Sequence, residues 1–132
     1  MMEMNYRLPK NERLHSQKAI KELFDKGSSF FLYPFKVIFL YQPLDSTETI
    51  QVLFSVSKKK IKKVVLRNQV KRRIKEAYRL NKNILGDPKK SPLHIALIYV
   101  SSDIAPYPKI ESSVQKILKK LAESSDESNH LL

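Results

Sequence analysis

The sequence contains no cysteine, and only two of its 132 residues are glycine. The absence of cysteine excludes disulfides, thiolate metal sites and a cysteine nucleophile, and it is typical of a reducing compartment. Two glycines are too few for a glycine-rich phosphate-binding loop. No apolar run approaches the ~18 residues of a membrane-spanning helix, and the opening segment MMEMNYRLPKNERL lacks the apolar stretch of a signal peptide. We therefore expect a cytoplasmic protein without a membrane segment.

Acidic residues are scarce relative to basic ones. The chain has 13 Asp and Glu against 25 Lys and Arg, which gives a formal charge of +12. Such an excess destabilises a compact chain by self-repulsion, so it usually accompanies a polyanionic partner: RNA, DNA or an anionic membrane surface. The length and the apolar fraction of 42% predict one domain with a modest core.

The first half of the chain predicts one helix followed by strands. Ser16 can cap a helix with Lys18–Lys26 as its body and Gly27 just past its end. Two segments rich in β-branched and aromatic residues, Phe35–Tyr41 and Ile50–Ser57, predict strands. We expect these two strands to pair as a hairpin, with one further short strand possible in this region.

The second half predicts a helix at Arg67–Asn83, a buried strand at Pro92–Val100 and an amphipathic helix at Lys109–Glu123. The ends, 1–14 and 124–132, are expected to be loosely ordered and frayed respectively. The resulting fold class is α+β, an α/β sandwich in the order α-β-β-(β)-α-β-α, with helices packed on a small mixed sheet.

The segment RNQVKRRIKEAYR, from Arg67 to Arg79, has six basic residues and one acid, Glu76. A helical projection separates an apolar core face from an adjacent polar stripe, and it leaves Arg73 outside the stripe as an ordinary surface residue. A basic helix face is usually just solvated, but eleven basic residues lie between Lys58 and Arg79 against that single acid. We therefore expect phosphates to stabilise the stripe. The core face consists of Leu66, Val70, Ile74, Ala77 and Tyr78, and the stripe of Arg67, Asn68, Lys71, Arg72, Lys75 and Arg79.

Asn68 allows two interpretations. Asparagine is a mediocre residue inside a helix, because its amide competes for backbone hydrogen bonds. It is a good amino-terminal cap, which would fit a helix that begins after Asn68. It also carries a donor and an acceptor, which suit a polar ligand or a hydrated metal ion. Both interpretations remain open at this point.

The choice among polyanions favours RNA. A membrane-surface helix needs bulky apolar residues beside its basic face, and nothing here has the spacing of a helix-turn-helix or a zinc finger. Aromatic residues on a sheet can stack on unpaired bases. His15, His94 and His130 fall in different predicted elements and the acids do not cluster, so we expect no catalytic residues in this chain.

The stretch SVSKKKIKKVVLRNQVKRRIKEAYR resembles the signature of the bacterial ribonuclease P protein component. That signature is a Ser-Val-Ser-Lys-Lys strand end, a short basic connection and an Arg-Asn-Arg-x-x-Lys-Arg helix. RLHSQKAIKELFDKG is similar to the family's first helix, and the resemblance covers Arg13 to Val100.

The resemblance implies a ribosomal-protein-like α/β sandwich with a left-handed βαβ crossover. It implies a protein subunit of ribonuclease P, whose RNA subunit removes the 5′ leader of precursor tRNA with Mg²⁺ held mainly by that RNA. The implied partners are the catalytic RNA and precursor tRNA, with no membrane and no obligate protein partner. The alternatives are a ribosome-associated RNA-binding protein without a role in cleavage, and a basic DNA-binding module.

The resemblance also implies site residues, and the chain departs from the family pattern at several of them. Gln69 stands where the family usually has the second Arg of the triplet, the KKKIKK connection has no glycine, and Phe54 replaces a common glycine. Lys36 and Ile38 replace a frequent Val and an aromatic residue, which suggests phosphate pairing at Lys36. The implied RNA-binding residues are Lys58, Lys59, Arg67, Asn68, Lys71, Arg72 and Lys75, and the implied leader cleft is lined by Ile20, Phe24, Lys36 and Ile38.

Overall fold

The computed structural model describes residues 8–43, 49–87 and 92–130, with side chains described as far as residue 124. In these ranges, three α-helices and a four-stranded mixed sheet form the α+β fold that the sequence predicts. Within the described ranges, no helix is both long and apolar enough to cross a membrane. The elements are α1 (Gln17–Lys26), β1 (Ser28–Leu32), β2 (Phe35–Tyr41), β3 (Gln51–Val56), α2 (Val64–Asn81), β4 (Leu93–Tyr99) and α3 (Tyr107–His130).

Helix α1 begins and ends as its sequence predicts. The Ser16 hydroxyl accepts a hydrogen bond from the Ala19 backbone N–H at 3.2 Å, which satisfies one of the free donors of the first turn. At the other end the Gly27 N–H donates to the Leu23 carbonyl at 2.8 Å. The Leu23 side chain is buried against the sheet.

The order of strands in the sheet is β1-β2-β4-β3, so the predicted hairpin between Phe35–Tyr41 and Ile50–Ser57 is wrong. Strand β4 lies between them, antiparallel to β2 and parallel to β3. Six of the seven β4 residues are buried, which is typical of an interior strand whose two faces are both covered. The hairpin forms instead between β1 and β2, through Tyr33 and Pro34.

The parallel pairing of β3 with β4 requires a crossover, and α2 provides it. The left-handedness of this crossover stays a prediction. Alternating side chains of the strands build two cores. One core, which includes Val37, Ile95 and Tyr99, is covered by α2 and α3. The other, around Ile38 and Ala96, lies under α1.

Helix α2 starts three residues earlier than predicted and passes into a short 3-10 helix at Lys82–Leu85. The sequence did not predict this early start, because Lys63 at the N-cap position makes no side-chain hydrogen bond to the first turn. The predicted core face is confirmed, since four of its members are buried and Leu66 packs against them. The buried members are Val70, Ile74, Ala77 and Tyr78.

Both ends of the chain differ from the sequence-based expectation. Residues 8–14 lie against β3: Arg13 forms a parallel bridge with Val52, and Leu14 is only 4% exposed. Helix α3 continues through 124–130, where a frayed tail was predicted, because no Pro or Gly interrupts this stretch. Residues 1–7 and 131–132 of the two predicted loose ends lie outside the described residues.

Candidate nucleic-acid interface

The basic stripe lies on one side of α2, and the opposite, apolar side of α2 packs against the sheet. Val70 and Ile74 are fully buried, and Tyr78 packs edge-to-face on Phe54 with ring centroids 5.6 Å apart. The large Phe54 side chain thus fills the space between β3 and α2. Because these contacts fix the rotation of α2, they fix the direction in which the stripe faces.

Asn68 is the fifth residue of α2 and is exposed. Its position inside the helix shows that the capping interpretation is wrong. Neither Asn68 nor Arg72, which is also exposed, makes a hydrogen bond or an ion pair within the described parts of the chain. Both side chains are therefore available to a ligand without breaking an internal contact.

Arg67 has a structural contact as well as a place in the stripe. Its guanidinium Nη1 donates to the carbonyls of Ile61 at 2.9 Å and Lys62 at 2.8 Å. These bonds, with the buried Ile61 side chain, hold the glycine-free connection between β3 and α2. Lys58 and Lys59 are exposed at the start of this connection, next to the stripe in sequence.

The remaining basic residues of α2 fall into two groups. Lys71 and Lys75 are half-buried, and the pKa of Lys75 is lowered, first by burial and then by the positive charges of Lys71 and Arg13. Arg79 forms an ion pair with Glu76 at 2.6 Å. This ion pair lowers the local positive charge at the carboxyl end of the stripe.

The sequence analysis missed the structural roles of two arginines, Arg73 and Arg13. Arg73, interpreted as an ordinary surface residue, donates from Nη1 to the Ala105 carbonyl at 2.7 Å and so ties α2 to the loop before α3. Arg13 was assigned to a loosely ordered segment, yet its charge reaches Lys75. The apolar Leu14 beside Arg13 is a signal in the sequence that could have predicted attachment to the core.

The predicted leader cleft lies where α1 crosses the outer face of the sheet. Ile38 is 6% exposed and packs under α1 together with Leu23, whereas Ile20 is half-buried. Phe24 is 47% exposed and Lys36 is exposed. Ile38 therefore contributes mainly to packing, and Phe24 and Lys36 offer most of the accessible surface of this set.

An exposed aromatic pair adjoins this cleft and was not predicted. Phe31 is paired with Lys36 in the β1–β2 register and is 61% exposed. Tyr33 is 63% exposed, with its ring centroid 6.3 Å from that of Phe31. Because paired residues lie on the same face of a sheet, Phe31 supplies an aromatic ring on the face that carries Lys36.

The described residues include no group of three or more His, Cys, Asp or Glu arranged to hold a metal ion. His94 is buried in the central strand β4, as a packed histidine, and His15 is exposed near the start of α1. The side chain of His130 lies outside the described residues.

Comparison with known proteins gives one consistent result. The family model Ribonuclease P matches residues 8–122. The ribonuclease P protein component of Porphyromonas gingivalis is 35% identical over 118 residues, covering 87% of this chain and 86% of that protein. That of Clostridium botulinum is 34% identical over 111 residues, covering 84% and 95%.

Solved structures show the same likeness of fold. The RNase P protein of Staphylococcus aureus aligns with a TM-score of 0.67 at 24% identity, covering 82% of this chain and 93% of that one. The RNase P protein of Thermotoga maritima aligns with a TM-score of 0.67 at 21% identity, covering 83% and 96%.

Proposed function

This chain belongs to the ribonuclease P protein family and is the protein subunit of that endoribonuclease, and we propose that it docks its α2 stripe on the RNA subunit while its cleft holds the 5′ leader of precursor tRNA. The observation that carries the proposal is the set of cations on α2, of which only Arg79 has an acidic partner among the described residues. Phosphates are the complementary ligand, because lysine and arginine neutralise them and release counterions.

The residues implied for the RNA contact fit this role to different degrees. Arg72 and Asn68 are exposed and free of internal hydrogen bonds among the described residues, so they can reach phosphate or sugar oxygens directly. Arg67 keeps other donors while Nη1 binds the connection. Gln69 is exposed beside them and can donate a hydrogen bond where other members of the family place a charge.

The leader contact is proposed for the outer face of the sheet beside α1. Exposed aromatic rings stack on unpaired bases irrespective of sequence, and Phe24 and Phe31 both present such rings. Lys36 lies opposite Phe31 and is suited to a phosphate of the same strand. This pairing of a ring with a cation replaces the aromatic residue that the family often has at the position of Ile38.

Mg²⁺ is proposed to be held by the RNA. The stripe offers one amide oxygen, that of Asn68, among several cations, and Mg²⁺ requires an octahedron of oxygen ligands. These residues do not fit a protein magnesium site. The chain contributes position and positive charge, which bring leader and catalytic RNA together, and it supplies no reacting group.

The test is leader removal from precursor tRNA by the RNA subunit at low Mg²⁺, with and without the protein. We expect the protein to rescue cleavage and to lower the Mg²⁺ concentration required, because its cations take over part of the neutralisation of phosphate charge. Superimposable Mg²⁺ titrations, or cleavage by the protein without RNA, would contradict the proposal. Binding of RNA without any effect on cleavage would favour a ribosome-associated role.

A further inference from the structure

A cavity of about 540 Å³ opens at the end of the sheet where β2 begins and β4 ends. It lies between the turn that joins β1 to β2, the loop that follows β4 and the first two turns of α3. Its volume is within the range of about 300–1,000 Å³ that is usual for ligand sites. The described residues that line it include no member of the α2 stripe and none of the four leader-cleft residues.

Hydrogen bonds hold the walls of this cavity together. Tyr99 is fully buried, and its hydroxyl donates to the Asp103 carbonyl and accepts from the Ala105 N–H at 3.3 Å. The Tyr33 hydroxyl donates to Ser101 Oγ at 3.0 Å, and the same Oγ accepts from the Asp103 N–H at 3.0 Å. The loop after β4 is therefore tied both to its own strand and to the β1–β2 turn, so the cavity does not need a ligand to form.

Four polar side chains that line the cavity have no internal partner. Within the described residues, none of the four makes a side-chain hydrogen bond or an ion pair. They are one carboxylate, one ammonium and two hydroxyls, those of Asp103, Lys109, Ser112 and Ser113. Asp103, Lys109 and Ser112 are also exposed, so a ligand in the cavity can reach them without breaking an existing contact.

Tyr33 connects the cavity to the surface proposed for the leader. Its ring is 63% exposed, and its centroid lies 6.3 Å from that of the Phe31 ring. Phe31 shares a face of the sheet with Lys36. The cavity therefore continues, past the β1–β2 turn, the face on which unpaired leader bases are proposed to stack.

The polar groups of the cavity fit a nucleobase better than a phosphate. The Asp103 carboxylate repels a phosphate, whereas its two oxygens can accept hydrogen bonds from two adjacent N–H groups. Guanine presents two such donors, at N1 and N2, on one edge, and two acceptors, O6 and N7, on another. A lysine ammonium such as that of Lys109 is a suitable donor to O6 and N7, and the exposed ring of Tyr33 offers a surface for stacking.

We propose that this cavity binds a guanine base of the 5′ leader, with Asp103 accepting from the N1 and N2 donors and Lys109 donating to the acceptor edge. The proposal rests on the function proposed above and adds a base preference to it. The leader then crosses the β1–β2 turn at Tyr33 and places one base between the loop after β4 and α3.

The test measures dissociation constants of the reconstituted holoenzyme for precursor tRNAs whose leaders contain only adenosine and uridine, except for one guanosine placed at successive positions. We expect guanosine at one position to tighten binding at least about fivefold relative to adenosine there, the lower end of the discrimination by a bidentate contact. Asp103→Asn should abolish this preference, because the amide replaces one acceptor by a donor. Glu123→Gln removes the same charge from an exposed position elsewhere on α3 and should retain the preference.

Ser112→Phe is a second variant that blocks the cavity from an exposed position of α3, and it should also abolish the preference. Thermal unfolding of both variants should match that of the unaltered protein, because both altered side chains are exposed. A guanosine preference that survives in either variant would overturn the proposal. Equal affinity at every leader position would overturn it too, and binding of free guanosine monophosphate in that case would assign the cavity to a free nucleotide.

Precursor tRNA without a leader separates failure of this inference from failure of the proposed function. If the protein improves binding equally with and without a leader, the proposed leader contact is wrong as a whole. If the improvement depends on the leader but not on guanosine, only the base preference is wrong.

Discussion

The Arg73 guanidinium donates a hydrogen bond from Nη1 to the Ala105 carbonyl at 2.7 Å. The contact joins two segments 32 residues apart and holds the loop after β4 against α2. It turns an arginine inside a strongly basic sequence into a structural residue, so proximity in sequence to the stripe does not by itself predict a role in RNA binding.

Arg73→Ala should therefore lower the free energy of unfolding without changing RNA affinity. A hydrogen bond from a charged donor contributes about 1.5–3 kcal/mol, and a part-buried one falls toward the lower end of this range. Urea unfolding and the salt dependence of RNA binding measure the two effects separately. A reduced salt slope with unchanged stability would show that Arg73 contacts RNA instead.

Arg67 and Arg72 form a matched pair on the same helix. Arg67→Ala removes two hydrogen bonds to the connection after β3 and should cost about 1–3 kcal/mol of stability. Arg72→Ala removes an exposed side chain and should stay within about 0.5 kcal/mol of the unaltered protein. Each should lower the salt slope of RNA binding by roughly one phosphate contact. Equal stability of the two variants would contradict the assignment of Arg67.

Asn68 variants should separate stability from function. Asn68→Ala should be as stable as the unaltered protein or more so, by up to about 0.7 kcal/mol, because alanine is the better residue inside a helix. Asn68→Asp should also fold well, since a carboxylate there faces Lys71 and Arg72 at helical spacing. In cleavage assays we expect Asn68→Asp to be less active than Asn68→Ala, because the phosphates of the RNA repel the new carboxylate. Melting curves beside cleavage assays on both variants check this, and full activity of Asn68→Asp would remove Asn68 from the interface.

Position 27 requires glycine because there is no room for a side chain, and not because of the backbone conformation, since its φ is −68°. A β-carbon there would meet the Leu23 carbonyl and lie 2.8 Å from Ile38 Cγ2. Gly27→Ala should therefore push the end of α1 away from β2, at a cost of about 1–3 kcal/mol, and should weaken leader binding at the cleft. Ser28→Ala, at the exposed neighbouring position, is the control. Unchanged unfolding of Gly27→Ala would show that α1 can shift freely.

Local patterns were enough to predict α1, the core face of α2 and the basic stripe. A serine cap, helical periodicity and charge composition act within a few turns of chain, so the residues that show these patterns also determine the local structure. The position of β4 between β2 and β3 was beyond such patterns, because alternation tells which face a side chain occupies and not which strand lies beside it.

The contacts that complete the interface were decided by tertiary structure. The charge of Arg13 adds to the lowering of the Lys75 pKa because the segment before α1 pairs with β3, and Phe31 lies opposite Lys36 because β1 turns back on β2. Both relationships depend on which strands become neighbours. That choice follows from burying apolar side chains of the whole chain on both faces of β4, a property that no short stretch of sequence contains.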